Sequence, residues 1–230
     1  MNLSGKVVAV TGSDGALGAA VTATLSAYGA RLALLTHSAA VPRSVPTGAA
    51  HYGGIDLTLE TAVRLAMQRI AKEAGRLDGL VNLAGGFRWE KLGEGTLESW
   101  DTMYKLNLRT AVVSCQAALP FLLESGSGRI VNVGAMGAIE AAAGMGPYAA
   151  SKAGVAQLTE ALADELKGRG VTVNAILPST LDTPKNRLDM PDADFARWVR
   201  PVEAAEVIAF LISDQAGAVT GALLPVAGRV

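Results

Sequence analysis

The sequence predicts one α/β domain over residues 1–230: a doubly wound parallel sheet of about seven strands with helices on both faces. Three observations lead there. Short apolar runs bounded by Gly, Pro or polar residues recur along the chain, as strands buried on both faces require. Between them lie longer segments with apolar residues near period 3.6, and parallel strands need crossovers of that kind. No linker, internal repeat or low-complexity tract divides the chain.

The strand runs are Val7–Val10, Arg31–Leu35, Gly79–Leu83, Arg129–Val133, Val171–Leu177 and Leu223–Val226. The helical patterns are Ala16–Tyr28, Leu59–Ala74, Leu97–Glu124, Tyr148–Lys167 and Val202–Ser213. Two segments break the alternation. His37–Gly48 contains Pro42 and Pro46, so the crossover helix after the second strand is expected to be truncated or replaced by loop. Residues 178–200 carry three prolines and mixed charges. Placed beyond a strand's carboxyl end, where open α/β sheets bind ligands, this segment is expected to cover a substrate; a plain surface excursion is the alternative.

Composition narrows the function classes. Half of the 230 residues are hydrophobic and 18% are charged, which suits a well-buried chain. A net charge of −1 with no basic cluster leaves no footprint for nucleic acid. Cys115 is the only cysteine, which excludes an internal disulfide and a cysteine-rich metal site. The two histidines make a histidine metal centre unexpected as well. Met1–Val10 reads as a first strand rather than a leader, and Gly, Thr, Arg or Glu interrupts each long apolar stretch. None is expected to reach the roughly 18–20 residues of a membrane helix. The expectation is a soluble cytoplasmic protein acting on a small molecule, without nucleic-acid or membrane partners.

Two motifs carry chemistry. The turn Thr11-Gly12-Ser13-Asp14-Gly15-Ala16-Leu17-Gly18 follows a strand and opens a helix, the context of a dinucleotide fingerprint in a Rossmann-type domain. Gly12 permits a tight turn, and Gly18 lets the helix approach the sheet. Backbone N–H groups of Gly12, Ser13, Asp14, Ala16, Leu17 and Gly18 can then face a pyrophosphate. Ala16 stands where the Thr-Gly-x-x-x-Gly-x-Gly form has its middle glycine. Tyr148 and Lys152 lie four residues apart, on one helix face. A free tyrosine has a pKa of ~10, and a fixed neighbouring cation is expected to lower it. The second strand ends Leu34-Leu35-Thr36-His37-Ser38, without the acid that normally bonds the adenosine ribose. Thr36 and His37 therefore line that position, and His37 or Arg43 could favour a 2′-phosphate. The coenzyme is read as NADPH or NADH, leaning to NADPH.

Together these residues resemble the short-chain dehydrogenase/reductase family over essentially the whole chain. By that resemblance Asp56 and Leu57 contact adenine, and Asn82, Ala84 and Gly85 stand in an Asn-Asn-Ala-Gly-type motif with Leu83 in place of its second asparagine. Asn107 matches the family's structural and proton-relay asparagine, a third catalytic position beside Tyr148 and Lys152. Pro178, Ser179, Leu181 and Thr183 match the loop beside the nicotinamide, with Ser179 replacing a glycine. The resemblance implies homodimers or homotetramers, for which the apolar faces of the helices Leu97–Glu124 and Tyr148–Lys167 could serve; the alternative is that both faces are covered within one subunit.

One departure is chemical. The family reads Asn-x-Ser-Ser before its tyrosine; here the chain reads Asn132-Val133-Gly134-Ala135, so Ala135 stands where the catalytic hydroxyl belongs. Loss of one such oriented donor costs on the order of 3 kcal/mol. The dihydropteridine reductase branch of the superfamily also lacks that serine. Several segments are similar to it: Gly15–Gly18, Ala84-Gly85-Gly86-Phe87, Gly144–Tyr148, Leu177–Arg187 and Met190–Phe195. The resemblance implies reduction of a quinonoid dihydropteridine. Tyr148 would donate a proton, Lys152 would tune it, and Gly86, Phe87, Ala135 and Met145 would line the substrate site, with Trp89 a second candidate ring. A carbonyl or 3-oxoacyl reductase without the serine, or a non-catalytic NAD(P)-binding sensor, are the alternatives.

Overall fold

The computed structural model describes residues 1–42 and 45–230. Arg43 therefore lies outside the described residues. Seven parallel strands form one sheet: β1 Val7–Thr11, β2 Arg31–Leu35, β3 Ala50–Tyr52, β4 Gly79–Asn82, β5 Arg129–Val133, β6 Thr172–Pro178 and β7 Leu223–Val226. Their spatial order is β3-β2-β1-β4-β5-β6-β7. Strand β3 is the one the sequence does not announce. Three residues, Ala50-His51-Tyr52, are too few to show a period, and only pairing of Leu34 with His51 at the sheet edge makes them a strand.

The strands lack polar alternation because both faces are covered. Val7, Ala9, Ala33, Leu35 and Leu80 belong to one apolar layer, whereas Val8, Val10, Leu32, Leu34 and Val81 belong to the other. Helices α1 (Ala16–Ala27) and α7 (Pro201–Ile212) pack together against the second layer. Helices α2 (Glu60–Ala74) and α4 (Thr110–Glu124) pack together on the first, where α5 (Gly146–Glu165) contributes Leu162 and Ala163. Two shorter helices are α3 (Leu97–Met103) and α6 (Pro184–Asp189).

The expected Leu97–Glu124 helix is one rod in three pieces. Between α3 and α4, residues Tyr104–Arg109 adopt a π-helix, a widened turn that periodicity alone does not reveal. The whole rod runs 28 residues, and its most apolar stretch has mean hydropathy 1.3, so by length and composition it could cross a membrane. That departs from the expectation that no stretch would reach such a length. Half of the stretch is buried inside the fold, and the polar Asn107 side chain is buried within the rod.

The segment 178–200 is more ordered than its prolines suggest. Thr183 caps α6, its Oγ1 accepting from Asn186 N at 3.2 Å. Its two ends are tied by Asp182 N donating to Val199 O (2.8 Å) and Val199 N donating to Thr180 O (3.0 Å). No helix lies between β2 and β3 among the described residues, in line with the prolines there.

Candidate active site

The crossovers leaving β1 and β4 run to opposite sides of the sheet, so a cleft opens at their carboxyl ends. The turn after β1 lies in that cleft. Gly12 has φ +64°, and a Cβ there would sit 2.8 Å from Ala84 N and Cα. A Cβ on Gly18 would lie 2.5 Å from Gly12 O. These two glycines are demanded by contact; Ala16 is tolerated as the first residue of α1. Thr11 Oγ1 ties the neighbouring loop, accepting from Leu83 N at 3.2 Å and Ala84 N at 3.4 Å. The N-cap of α1 is Gly15, which supplies no side-chain bond, so first-turn N–H groups remain free for an anion. Ser13 Oγ is buried there without a protein partner.

At the end of β2 the Thr36 side chain is almost fully buried. Its hydroxyl donates to Ser38 O (2.7 Å) and lies 2.7 Å from His51 Nε2. A hydroxyl has one proton, so His51 Nε2 carries the hydrogen of that second bond. Thr36 is thus saturated within the protein, while His37 is exposed. The Thr36 side chain therefore turns into the protein, and only its backbone faces the position where the acid would stand. Asp56 is held below the usual carboxylate range by bonds from Thr58 Oγ1 (2.7 Å) and Thr58 N (2.8 Å). The Leu57 side chain packs into the core, so only its backbone is left for a ligand.

Asn82 also turns inward. Its Nδ2 donates to Asn132 Oδ1 (2.8 Å), and Asn132 Nδ2 donates to Thr159 Oγ1 (2.9 Å). This buried ladder joins β4, β5 and α5 and sets the depth of α5 against the sheet. Asn132 opens the Asn-x-Ser-Ser-type stretch, but its structural bonding is not legible there, and Thr159 carries no motif that would have marked it.

Asn107 sits in the π-helical turn and clamps the loop after β4. Its Oδ1 accepts from Gly86 N (2.8 Å), and its Nδ2 donates to Gly86 O (3.1 Å) and to Ser151 Oγ (2.9 Å). Ser151 Oγ donates in turn to Tyr148 O at 2.7 Å. Lys152 Nζ donates to Val133 O at 2.7 Å. A Cβ on Gly85 would fall 2.6 Å from Asn107 Oδ1 and 3.4 Å from Lys152 Nζ, so Gly85 keeps open the point where these groups meet.

Tyr148 and Lys152 share a face of α5, but their protonation differs from the sequence expectation. Burial pushes the Tyr148 phenol up to about 12 and the Lys152 ammonium down to about 8. Lys152 donates to Val133 O, and burial is what moves the Tyr148 phenol. At neutral pH the arrangement presents a neutral phenol and a charged ammonium.

Around the phenol the surfaces are apolar. Phe87 meets the Tyr148 ring edge to face, with centroids 4.9 Å apart and planes at 78°. Met145 Cε lies 2.9 Å from where a Cβ on Gly137 would be. Ala135 is extended and buried, without a hydroxyl. On the opposite wall, Ser179 Oγ donates to Ala227 O (2.7 Å), turning away toward the end of β7. Pro178 ends β6, Leu181 O accepts from Asn186 Nδ2 (2.8 Å), and the Thr183 hydroxyl caps α6.

The short chain dehydrogenase family model matches residues 6–193. D-threitol dehydrogenase of Mycolicibacterium smegmatis is 35% identical, covering 98% of this chain and 93% of its own. A 3-oxoacyl acyl-carrier-protein reductase of Thermotoga maritima is 30% identical over 99% of this chain and 98% of its own. Among solved structures, carveol dehydrogenase from Mycobacterium avium in complex with NAD superposes with TM-score 0.87 at 26% identity, covering 99% of this chain and 98% of that one. Ligand-free aldohexose dehydrogenase of Thermoplasma acidophilum gives TM-score 0.90 at 26% identity, covering 99% and 94%. These relatives are not dihydropteridine reductases, so the narrower resemblance gains no support from them. The matched motifs, the sheet order and the Tyr148–Lys152–Asn107 cluster agree on one conclusion: the chain belongs to the short-chain dehydrogenase family.

Proposed function

We propose that this protein is an NAD(P)H-dependent reductase whose acceptor is already activated by conjugation, a quinonoid dihydropteridine being the type case. The observation that carries the reading is the pairing of a neutral, desolvated Tyr148 with Ala135, where a second hydrogen-bond donor would normally stand.

The cradle fits a nicotinamide dinucleotide. Gly12 and Gly18 leave backbone room, the start of α1 is uncapped, and Ser13 Oγ has an unused bonding capacity. Gly12, Ser13, Asp14, Ala16, Leu17 and Gly18 would hold the pyrophosphate, with Thr36, His37, Asp56 and Leu57 around the adenosine. Ala84, Gly85, Pro178, Ser179, Leu181 and Thr183 would surround the nicotinamide, with Asn82 supporting from beneath. Once bound, the coenzyme supplies a hydride. Tyr148 supplies the matching proton, and the phenolate left behind is stabilised by the Lys152 ammonium. Asn107 holds Gly86 and, through Ser151, the turn that carries Tyr148. Gly86, Phe87 and Met145 offer flat or flexible apolar surface to a planar acceptor. Homodimer or homotetramer assembly belongs to the same proposal, supported by exposed Leu97, Tyr104 and Leu106 on the long rod.

A second reading, a carbonyl or 3-oxoacyl reductase working without the serine, is favoured by the 3-oxoacyl reductase relatives. A non-catalytic sensor fits less well, because it needs the cleft but not the assembled tyrosine and lysine. The deciding experiment is kcat/KM on quinonoid dihydropterin and on a ketone panel, for the native chain and for Ala135→Ser. Little gain on the pterin and a rise on ketones is expected, smaller than the ~10²–10³ that such a donor carries elsewhere. Efficient native ketone reduction with none on the pterin would move the assignment to the second reading; no turnover of either would leave the sensor.

A further inference from the structure

The loop after β4 and the loop before α5 are stitched together at one place beside the substrate site. The Trp89 indole lies directly on Gly144: a Cβ on Gly144 would fall 2.3 Å from Trp89 Cε2 and 2.4 Å from Nε1. Gly144 has φ +79°, a backbone state that a side chain would strain in any case. Trp89 Nε1 donates to Ala143 O at 3.0 Å, and Glu90 N donates to Gly144 O at 2.7 Å. The first loop is itself braced. Glu90 accepts from Thr96 N (2.9 Å) and from the buried Ser99 Oγ (2.8 Å). At the first residue of α5, Gly146 faces the Trp100 ring, a Cβ there lying 3.4 Å from Cζ2.

Each loop also delivers one side of the site. Two residues before Trp89 is Phe87, which touches the Tyr148 ring; four residues after Gly144 is Tyr148 itself. The clasp therefore ties the loop that carries Phe87 to the loop that leads to the phenol, with the indole bridging them through Gly144 and Ala143 O. Yet Trp89 remains 55% exposed, so it is not simply a core side chain.

We infer that Trp89 is a specificity-determining residue: it closes the side of the site between the two loops, admitting compact flat acceptors and excluding acceptors with a long chain or carrier attached. The inference deepens the proposed function, but it concerns the size of the acceptor and not its chemical identity.

The test uses the full chain with its preferred coenzyme and three acceptors: quinonoid dihydropterin, a short ketone and a long-chain 3-oxoacyl thioester. Trp89→Ala is expected to raise the kcat/KM ratio of the long over the compact acceptors by about 10-fold or more, mainly through KM. Coenzyme Kd should stay unchanged. Trp89→Phe keeps a flat ring but loses the bond to Ala143 O, and should retain most of the native preference. If Trp89→Ala does not fold, Trp89→Leu provides the same comparison with an apolar filler. A uniform loss on all acceptors, or an unchanged ratio, overturns the inference and marks the clasp as structural only. Should the native chain reduce ketones and no pterin, the proposed acceptor falls while the ratio of long to short ketone still tests Trp89.

Discussion

The turn after β1 and the end of β5 lie on the same edge of the sheet, with β4 between them, but they are built differently. The first is almost all backbone. Its positions are set by Gly12 and Gly18, whose missing Cβ atoms would otherwise collide with main-chain atoms. The second is built from side chains converging from separate elements. Val133 O receives Lys152 from α5, Asn132 bridges Asn82 and Thr159, and Asn107 reaches in from the π-helical turn. A backbone site tolerates few substitutions but needs no tuning. A side-chain site can be retuned, and the alanine at position 135 is one such change.

The largest expected effect lies on the side-chain region. Tyr148→Phe should lower turnover by about 10²–10⁴, the usual contribution of a positioned acid, while coenzyme still binds. Full activity under saturating coenzyme would remove Tyr148 from the chemistry. The backbone region should respond in the opposite sense. Gly18→Ala drives a Cβ into main-chain atoms, so coenzyme affinity should fall at least about 10-fold and stability by roughly 1–3 kcal/mol. Isothermal titration and thermal unfolding read the two losses; native affinity in this variant would show that the turn is looser than its contacts suggest.

The protonation states sharpen the comparison further. Lys152, held down to about 8, is an ammonium below that pH and neutral above it, whereas Tyr148, pushed up to about 12, stays a phenol throughout. Reduction should therefore be fullest below about pH 8 and decline as pH rises through it. Lys152→Arg should move that limb upward in whatever activity it retains. A kcat profile flat from neutral to strongly alkaline pH would contradict the assignment of Lys152 as the stabilising charge.

The smallest effect is expected at the end of β2. By local pattern alone, an acid restored by Thr36→Asp would bond the adenosine ribose and turn preference toward NADH. The observed Thr36 side chain is buried and bound to Ser38 O and His51, so a carboxylate there would take up His51 instead of a ribose. The change in the NADH-to-NADPH affinity ratio should be below about 10-fold. A larger shift, measured by calorimetric titration, would mean that the side chain reorients toward the coenzyme.

Some of this molecule follows from local order alone. Short uninterrupted apolar runs such as Val7–Val10, bounded by turn residues, specify strands buried on both faces, because they are too short for a buried helix. The strand–glycine turn–helix of residues 7–27 is equally local, as is the spacing of Tyr148 and Lys152, since neighbours along the chain dictate both. The long crossovers then leave a parallel sheet as the compact arrangement. What the sequence could not determine depends on groups distant along the chain. The edge strand β3 exists only through its pairing with β2, and the π-helical turn around Asn107 shows no change in apolar spacing. The inward turn of Asn82 needs Asn132, and the raised Tyr148 pKa comes from a burial that many elements create together. The Trp89–Gly144 clasp joins residues 55 positions apart, and nothing local in either segment announces the contact. Desolvation and side-chain direction are properties of packed neighbours, so the tertiary structure alone decided them.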